Sequence, residues 1–127
     1  MTRAVHFEIQ ASKPQALIDY YNALFGWTFN KWEGGDYWMI HIGPEDQPGI
    51  NGGLLPRRGP VPQPLAAVNA AVITVDVESI DESIRKCARG GAIIVPKMPV
   101  PGIGWLAYAR DPDGNIFGMM QADITAA

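Results

Sequence analysis

The sequence has few cysteines and no excess of basic residues, and each absence argues against a class of protein. It contains one cysteine, Cys87, so an internal disulfide is excluded and a reduced, cytoplasmic setting is expected. Cys87 falls within a helical pattern, which favours a small buried apolar side chain over a nucleophile. Ten Lys and Arg residues stand against 13 Asp and Glu, a net charge of −3. This balance predicts no basic face and no nucleic-acid partner.

Long apolar runs are also missing. No segment approaches the length that spans a bilayer, so no membrane partner is expected. The first residues lead directly into a strand pattern, which predicts no signal peptide. There is no glycine-rich dinucleotide motif after a strand, no P-loop and no nucleophile elbow, so nucleotide and acyl-transfer chemistry lack support.

The first half of the chain predicts a strand, a helix and three further strands. Residues 5–10 alternate strictly between apolar and polar, which places His6, Glu8 and Gln10 on one face. Ser12 is the predicted N-cap of a helix that runs to about Phe25 and ends at Gly26. The three further strands are expected at 27–31, 37–42 and 50–55.

The second half predicts the same order of elements after a proline-rich connection at 57–68. A strand is expected at 70–75, and a helix that begins at Glu78 or Ser79. A strand at 92–95 and a loop at 96–104 follow, and this loop is interpreted either as a lid or as a stiff connection. The last two strands flank the turn sequence Asp111-Pro112-Asp113-Gly114-Asn115.

The two halves form an internal repeat. A shift of 64 residues aligns strand, helix and second strand without a gap, and it places Gly26 on Gly90 and His6 on Ala70. The predicted fold class is α+β with two βαβββ modules. The helices are expected to cover the apolar sheet face, and the opposite face is expected to line a cleft. The residues predicted on the apolar face are Val5, Phe7, Ile9, Ile73 and Val75.

At this point the sequence resembles the vicinal oxygen chelate superfamily, the glyoxalase, bleomycin resistance protein and dioxygenase group. The matching pieces are VHFEI, YYNALFGWTF, INGGLL, AVITVD, Gly90-Gly91 and DPDGNIFGMMQ. The resemblance implies one glyoxalase-like domain over 1–127 with an open-barrel cleft. Its modules would cover about 3–56 and 69–123. It also implies a small-molecule ligand and a homodimer.

Metal-using members of this family place ligands on the first and last strand of each module. His6 matches one such position, and His41 lies on a neighbouring strand. The second-module counterpart is Ala70, and the terminal carboxylate position is Gly118, matched in the first module by Gly53 or Leu54. A catalytic metal ordinarily needs about three protein ligands. We therefore expect no divalent metal cofactor.

The predicted function is the binding of a small, partly apolar organic molecule in the cleft, without the usual metal. The alternative is a lyase, isomerase or dioxygenase-type enzyme, with or without a metal, in which His6 and Glu8 act in acid–base catalysis. His6 and Glu8 are equally compatible with hydrogen-bonded residues at a sheet or dimer surface. Trp38 and Trp105 suit either a flat ligand or a packed core, and His41 suits a structural role. The candidate ligand-binding residues are His6, Glu8, Gln10, Trp38, His41, Thr74, Trp105, Ile116 and Met120.

Overall fold

The computed structural model describes residues 6–57, 59–64, 66 and 72–127. Its contacts group into two compact units, Met1–Val61 and Pro62–Ala127, here called module 1 and module 2. The boundary falls within the predicted connection at 57–68. Val5 and Ala70, which the sequence interpretation used, lie outside the described residues.

Module 1 has the predicted βαβββ order. Its strands make one mixed sheet in the order β1-β4-β3-β2, in which β1 and β4 are parallel and the other pairs antiparallel. The elements are β1 (Phe7–Ala11), α1 (Pro14–Phe25), β2 (Thr28–Lys31), β3 (Trp38–His41) and β4 (Gly52–Pro56).

Module 2 repeats this topology. Its sheet order is β5-β8-β7-β6, again with the first and last strands of the module parallel. The predicted two-module α+β fold is therefore confirmed. The elements are β5 (Ile73–Asp76), α2 (Ile80–Cys87), β6 (Ala92–Val100), β7 (Gly104–Arg110) and β8 (Ile116–Ala122).

The apolar face of each sheet lies on the helix side. In module 1 the register aligns Ile9 with Leu54, and both are buried, while α1 contacts β2 and β4. In module 2 Phe117 and Met119 are buried on the corresponding face, and α2 contacts β6, β7 and β8. Because strand residues alternate between faces, the side chains at the intervening positions point away from the helix.

The two helices begin differently. The N-cap of α1 is Lys13, one residue after the predicted Ser12, and its side chain makes no capping hydrogen bond. Pro14 explains the shift, because its fixed φ and missing N–H suit the first helical position. Ser79 caps α2 by accepting a hydrogen bond from the Glu82 N–H at 3.3 Å. Gly26 ends α1 with φ of 75°, the left-handed conformation that glycine adopts without strain.

The segment predicted as a loop at 96–104 is mostly strand. β6 continues through Pro96 and Pro99 to Val100, and only a short turn separates it from β7. β6 is an edge strand, and its register with β7 shifts at two places. Edge positions and bulges are where a sheet tolerates proline, since no neighbour there requires its missing N–H. The prediction of a loop, whether as a lid or as a stiff connection, was therefore wrong for residues 96–100.

The turn between β7 and β8 is built around Asp111. Its Oδ1 accepts hydrogen bonds from the backbone N–H groups of Asp113 and Asn115, and its Oδ2 accepts one from the Asn115 side chain. Asp111 is buried, so these bonds offset the cost of removing its carboxylate from water. Among the described residues, no helix combines the length and apolar character needed to cross a bilayer.

Candidate functional site

The polar face of module 1 is formed by alternate residues of its strands. Glu8 of β1 lies beside Gly53 of β4, and Gly53 lies opposite Met39 of β3. Directly paired residues point to the same side of a sheet, so these three share one face. Glu8 is exposed, and Met39 keeps 42% of its surface exposed. This face therefore exposes both a carboxylate and apolar surface to solvent.

Three side chains on this face form a hydrogen-bonded chain. The Tyr37 hydroxyl donates to Glu8 Oε2 at 2.9 Å, and His6 Nε2 lies 2.7 Å from the same hydroxyl oxygen. A carboxylate is an acceptor only, and a phenol has a single proton to donate. His6 Nε2 must therefore carry a proton and donate it to Tyr37. The predicted pair, His6 and Glu8, is joined through a residue that the sequence interpretation did not include.

The Tyr37 hydroxyl is held in its protonated form. Partial burial, the hydrogen bond to Glu8 and the negative charge of Glu8, in that order, raise the pKa of Tyr37 above its ordinary value. Each of these effects disfavours the phenolate. Tyr37 consequently remains a neutral donor to Glu8 at physiological pH.

Gly53 makes room for Tyr37. A Cβ atom on Gly53 would lie 1.8 Å from the Tyr37 hydroxyl oxygen, so any larger residue would displace that hydroxyl. A glycine inside a strand often marks such a close approach. The signal that could have identified Tyr37 was therefore Gly53, together with the alternation that places Tyr37 on the face of Met39 and His41.

Module 2 carries a related but different arrangement. Gly118 of β8 lies between Thr74 of β5 and Tyr108 of β7. A Cβ on Gly118 would lie 2.9 Å from the Thr74 hydroxyl oxygen and 3.2 Å from the Tyr108 ring. Here the tyrosine approaches with its ring, whereas Tyr37 approaches Gly53 with its hydroxyl. Ile116 and Met120 share this face, as the predicted strand parity requires.

The two candidate tryptophans lie on the other face of their sheets. Trp38 pairs with the buried Leu54 on the helix side of module 1, and Lys31 Nζ lies 5.7 Å from its ring centroid. This placement corrects the grouping of Trp38 with His6 and Glu8, because an even-numbered position on β3 alternates away from Met39.

Trp105 is likewise on the α2 side of module 2. Its neighbour across the strands, Gln121, accepts a hydrogen bond from the backbone N–H of Ile80 in α2. Trp105 Nε1 donates to Asp123, and Lys97 Nζ lies 4.8 Å from its ring centroid. These contacts make Trp105 part of the packing around α2, on the face opposite Thr74 and Gly118.

The remaining candidates in module 1, Gln10 and His41, also lie on the polar face. Gln10 occurs two residues after Glu8 and lies beside Leu55. His41 pairs with Thr28 of the edge strand β2 and is exposed. The hydrogen bonds of the described residues link His6 to Glu8 through Tyr37 and do not include His41. The structure thus brings together only part of the predicted set.

The ligand set of the metal-using relatives does not fit this chain. Under the 64-residue repeat Gln10 corresponds to Thr74, and the register then matches Leu55 with Gly118. The first-module counterpart is therefore Leu55, and not Gly53 or Leu54 as the sequence suggested. Neither leucine, glycine nor the alanine at position 70 supplies a metal-binding atom. Among the described residues, no three His, Cys, Asp or Glu side chains lie close enough together to hold a metal ion.

The architecture is shared with solved structures at low sequence identity. Hypothetical protein SA1046 from S. aureus is 20% identical with a TM-score of 0.70, over 96% of this chain and 99% of that one. The fosfomycin resistance protein FosX from Listeria monocytogenes is 15% identical with a TM-score of 0.72, over 98% and 96%. Glyoxalase I from Zea mays is 22% identical with a TM-score of 0.68, over 95% of this chain and 45% of that one.

A search of the curated proteins finds no significant match. The family model of the Glyoxalase/Bleomycin resistance protein/Dioxygenase superfamily matches residues 3–119, almost the whole sequence. Together with the paired βαβββ modules, this match shows that the chain belongs to the glyoxalase/bleomycin resistance protein/dioxygenase superfamily, the vicinal oxygen chelate proteins.

Proposed function

We propose that this protein binds a small organic molecule on the polar face of module 1, without a divalent metal. The observation that carries the proposal is the exposed chain of His6, Tyr37 and Glu8 beside the exposed side chain of Met39. A few placed polar groups next to apolar surface are typical of small-molecule sites. That FosX is a fosfomycin resistance protein is consistent with ligands of this size on the same fold.

A thermal-shift screen of small organic compounds tests this function. A ligand at about 100 times its Kd adds about 2.7 kcal/mol to the apparent stability, which is a readily measured shift. We expect the His6→Ala and Glu8→Gln variants to fold normally. Each should bind a compound found in the screen about tenfold to a hundredfold more weakly. Binding that is unchanged in both variants would place the site elsewhere. Failure of both variants to fold would make the two residues structural.

Metal analysis tests the second half of the proposal. Of the four positions that the relatives use, only His6 has a side chain that binds metal, and one ligand is too few for a catalytic site. Protein purified without chelator should carry well below one equivalent of Zn, Ni, Fe or Mn. A stoichiometric metal that is lost in His6→Ala would contradict metal-independent binding.

The second candidate function is acid–base catalysis at the same face, in a lyase, isomerase or dioxygenase-type reaction. The hydrogen bond between Tyr37 and Glu8 favours it, because it connects the imidazole to a carboxylate as a general base requires. If a ligand from the screen is turned over, His6→Ala should lower kcat by about a hundredfold or more. Turnover that survives this change would exclude His6 as the acid or base.

We also propose a symmetric homodimer, as the resemblance to the family implies. Trp32 supports it, since 54% of this large side chain remains exposed in the single chain. Light scattering should give twice the chain mass of 13.8 kDa. A mass of one chain at micromolar concentration would reject the dimer.

A further inference from the structure

We propose that module 2 holds a binding site for a carboxylic acid with an apolar body, in which the Arg110 guanidinium pairs with the carboxylate. The site lies on the sheet face that points away from α2, here called the Gly118 face. It uses no residue of module 1, so it goes beyond the function proposed above and is tested separately from it. The side chains that carry the argument are Leu106, Tyr108, Arg110, Ile116 and Met120.

Strand pairing places Arg110 on the Gly118 face. In the antiparallel pair of β7 and β8, Arg110 lies opposite Ile116, and Tyr108 lies opposite Gly118. The intervening Ala109 is buried on the α2 side, so the Arg110 side chain points away from α2. Arg110 is half-buried, and a guanidinium keeps its charge at any physiological pH. The Gly118 face therefore holds a fixed positive charge that is partly removed from water.

This charge has no counterion within the part of the chain that the structure describes. The Arg110 side chain makes no ion pair and no hydrogen bond there. The carboxylate of the adjacent Asp111 is buried and accepts the N–H groups of its own turn. Asp76 shares the face but pairs with Met120, two strands and four residues away from Arg110. That separation is about 16 Å, because strands lie about 4.8 Å apart and rise about 3.3 Å per residue. An external anion would therefore gain the pairing that the fold leaves unmade.

The donors near this charge suit a carboxylate. A guanidinium binds a planar carboxylate through two parallel N–H···O hydrogen bonds. Tyr108 is two residues from Arg110 on the same face, and its hydroxyl, which has no hydrogen-bond partner among the described residues, can donate a third. A single guanidinium matches a monoanion, and the net charge of −3 disfavours a dianion such as phosphate. The ligand class is therefore a carboxylate and not a phosphate.

The rest of the face supplies apolar surface for the body of the ligand. Ile116, directly opposite the arginine, is half-buried, as are Leu106 and Met120, which pair with each other four residues further along. Between them the Tyr108 ring leans over Gly118, 3.2 Å from where its Cβ would lie. The strip is thus covered by side chains, and a ligand lies on it with its apolar part against them. Burial of an alkyl chain on such a surface adds affinity for each CH₂ group that leaves water.

Calorimetric titration with octanoate and octanamide tests the ligand class, because the two probes share a chain and differ in charge. We expect the full-length protein to bind octanoate at least about tenfold more tightly, the effect of hydrogen bonds between charged groups. Acetate lacks the chain and should bind at least about tenfold more weakly than octanoate. Equal affinities for octanoate and octanamide, no binding of octanoate, or tighter binding of inorganic phosphate would each overturn the proposal.

Variants locate the effect. Arg110→Gln should reduce the preference for octanoate to about onefold, since it removes the charge that distinguishes the probes. Arg89→Gln removes the same charge from an exposed position just after α2 and is the matched control, which should keep the full preference. Tyr108→Phe should weaken octanoate about threefold through the loss of one hydrogen bond. A full preference in Arg110→Gln would overturn the proposal.

Arg110→Lys decides the case in which Arg110→Gln does not fold. Lysine keeps the charge and the apolar stem but lacks the paired N–H groups of the guanidinium. We expect weaker binding of octanoate and an unchanged affinity for octanamide. Unchanged affinities for both probes would overturn the assignment of the carboxylate to Arg110.

Discussion

Module 1 and module 2 share one topology but are packed with different residues. The helix side of module 1 is aromatic, since Trp27 packs against Phe7, Tyr21 and Phe25 with ring centroids 5.0 to 5.9 Å apart. The corresponding side of module 2 combines Phe117 and Met119 with small buried residues, which are Ala107, Ala109 and Cys87. The repeated pattern of apolar and polar positions therefore sets the fold, and the volumes of the side chains differ between the copies.

The polar faces differ in chemistry as well. Both modules place a glycine of the last strand beneath a tyrosine, Gly53 with Tyr37 and Gly118 with Tyr108. Within the described residues, Tyr37 has ionisable hydrogen-bond partners, His6 and Glu8, and Tyr108 has none. Across the sheet from Gly118, module 2 has Thr74 instead. The shared topology thus carries a hydrogen-bonded chain of three polar side chains in module 1 and a different set of side chains, with Thr74 and Tyr108 beside Gly118, in module 2.

The largest predicted difference in stability between the modules comes from substituting one strand glycine in each module. A Cβ on Gly104 would lie 2.2 Å from the Gln121 carbonyl oxygen, and one on Gly52 would lie 2.6 Å from the Phe7 carbonyl oxygen. A backbone neighbour cannot swing aside, so we expect Gly104→Ala to cost about 3 kcal/mol and Gly52→Ala rather less. Urea denaturation measures both. Gly43→Ala is the control, because nothing lies within 4 Å of its Cβ, and an equal loss there would contradict the steric argument.

The second comparison concerns the tyrosine hydroxyls. Tyr37→Phe removes a hydrogen bond to Glu8 and should lower the free energy of unfolding by about 0.5–1.5 kcal/mol. Tyr108→Phe should change it by less than about 0.5 kcal/mol, since no hydrogen bond of that hydroxyl occurs in the described part of the chain. Chemical denaturation of the two variants side by side measures the difference. Equal losses in the two variants would mean that the hydrogen bond of the Tyr37 hydroxyl does not stabilise module 1.

Alkaline pH should sharpen the same contrast. Partial burial and then Glu8 raise the folded-state pKa of Tyr37, whereas an unfolded tyrosine titrates near 10.0. Below pH 10.0 Tyr37 is protonated in both the folded and the unfolded protein, and its contribution to the free energy of unfolding is complete. As the pH rises toward the folded-state pKa, the unfolded protein releases this proton first, so the contribution is lost. The wild type should therefore lose more stability in this range than Glu8→Gln does. Absorbance titration of tyrosine should show a lower pKa for Tyr37 in Glu8→Gln.

The smallest expected effect distinguishes the two helix starts. Ser79→Ala removes the hydrogen bond to the Glu82 N–H and should cost about 0.5–1 kcal/mol. Lys13→Ala at the N-cap of α1 is the matched control and should be neutral within about 0.5 kcal/mol, because Lys13 makes no capping bond. Thermal unfolding resolves the two cases. A larger loss for Lys13→Ala would mean that the side chain stabilises α1 in another way.

Much of the fold was predictable because it follows from local patterns. Strict alternation in β1 placed Glu8 opposite the core, and Gly26 correctly marked the end of α1. The error at 96–104 has a physical cause. Proline disfavours a strand only where its N–H would be needed, and the sequence does not reveal which strand lies at an edge.

The candidate site was only partly predictable. His6 and Glu8 were assigned to the polar face because they alternate with apolar neighbours, which is a property of the chain itself. Trp38 and Trp105 were grouped with them on residue type alone, and the register places them on the helix side. Tyr37 was missed because its partners are 29 and 31 residues away, beyond the reach of any periodic pattern.

The sequence by itself determined the two βαβββ modules and the turn around Asp111. These depend on the order and chemical type of residues, which are local properties. Only the tertiary structure decided that Leu55 matches Gly118 and that Tyr37 joins His6 to Glu8 above Gly53. Strand register and close approach depend on which strands pair, and pairing is settled by the packing of the whole sheet.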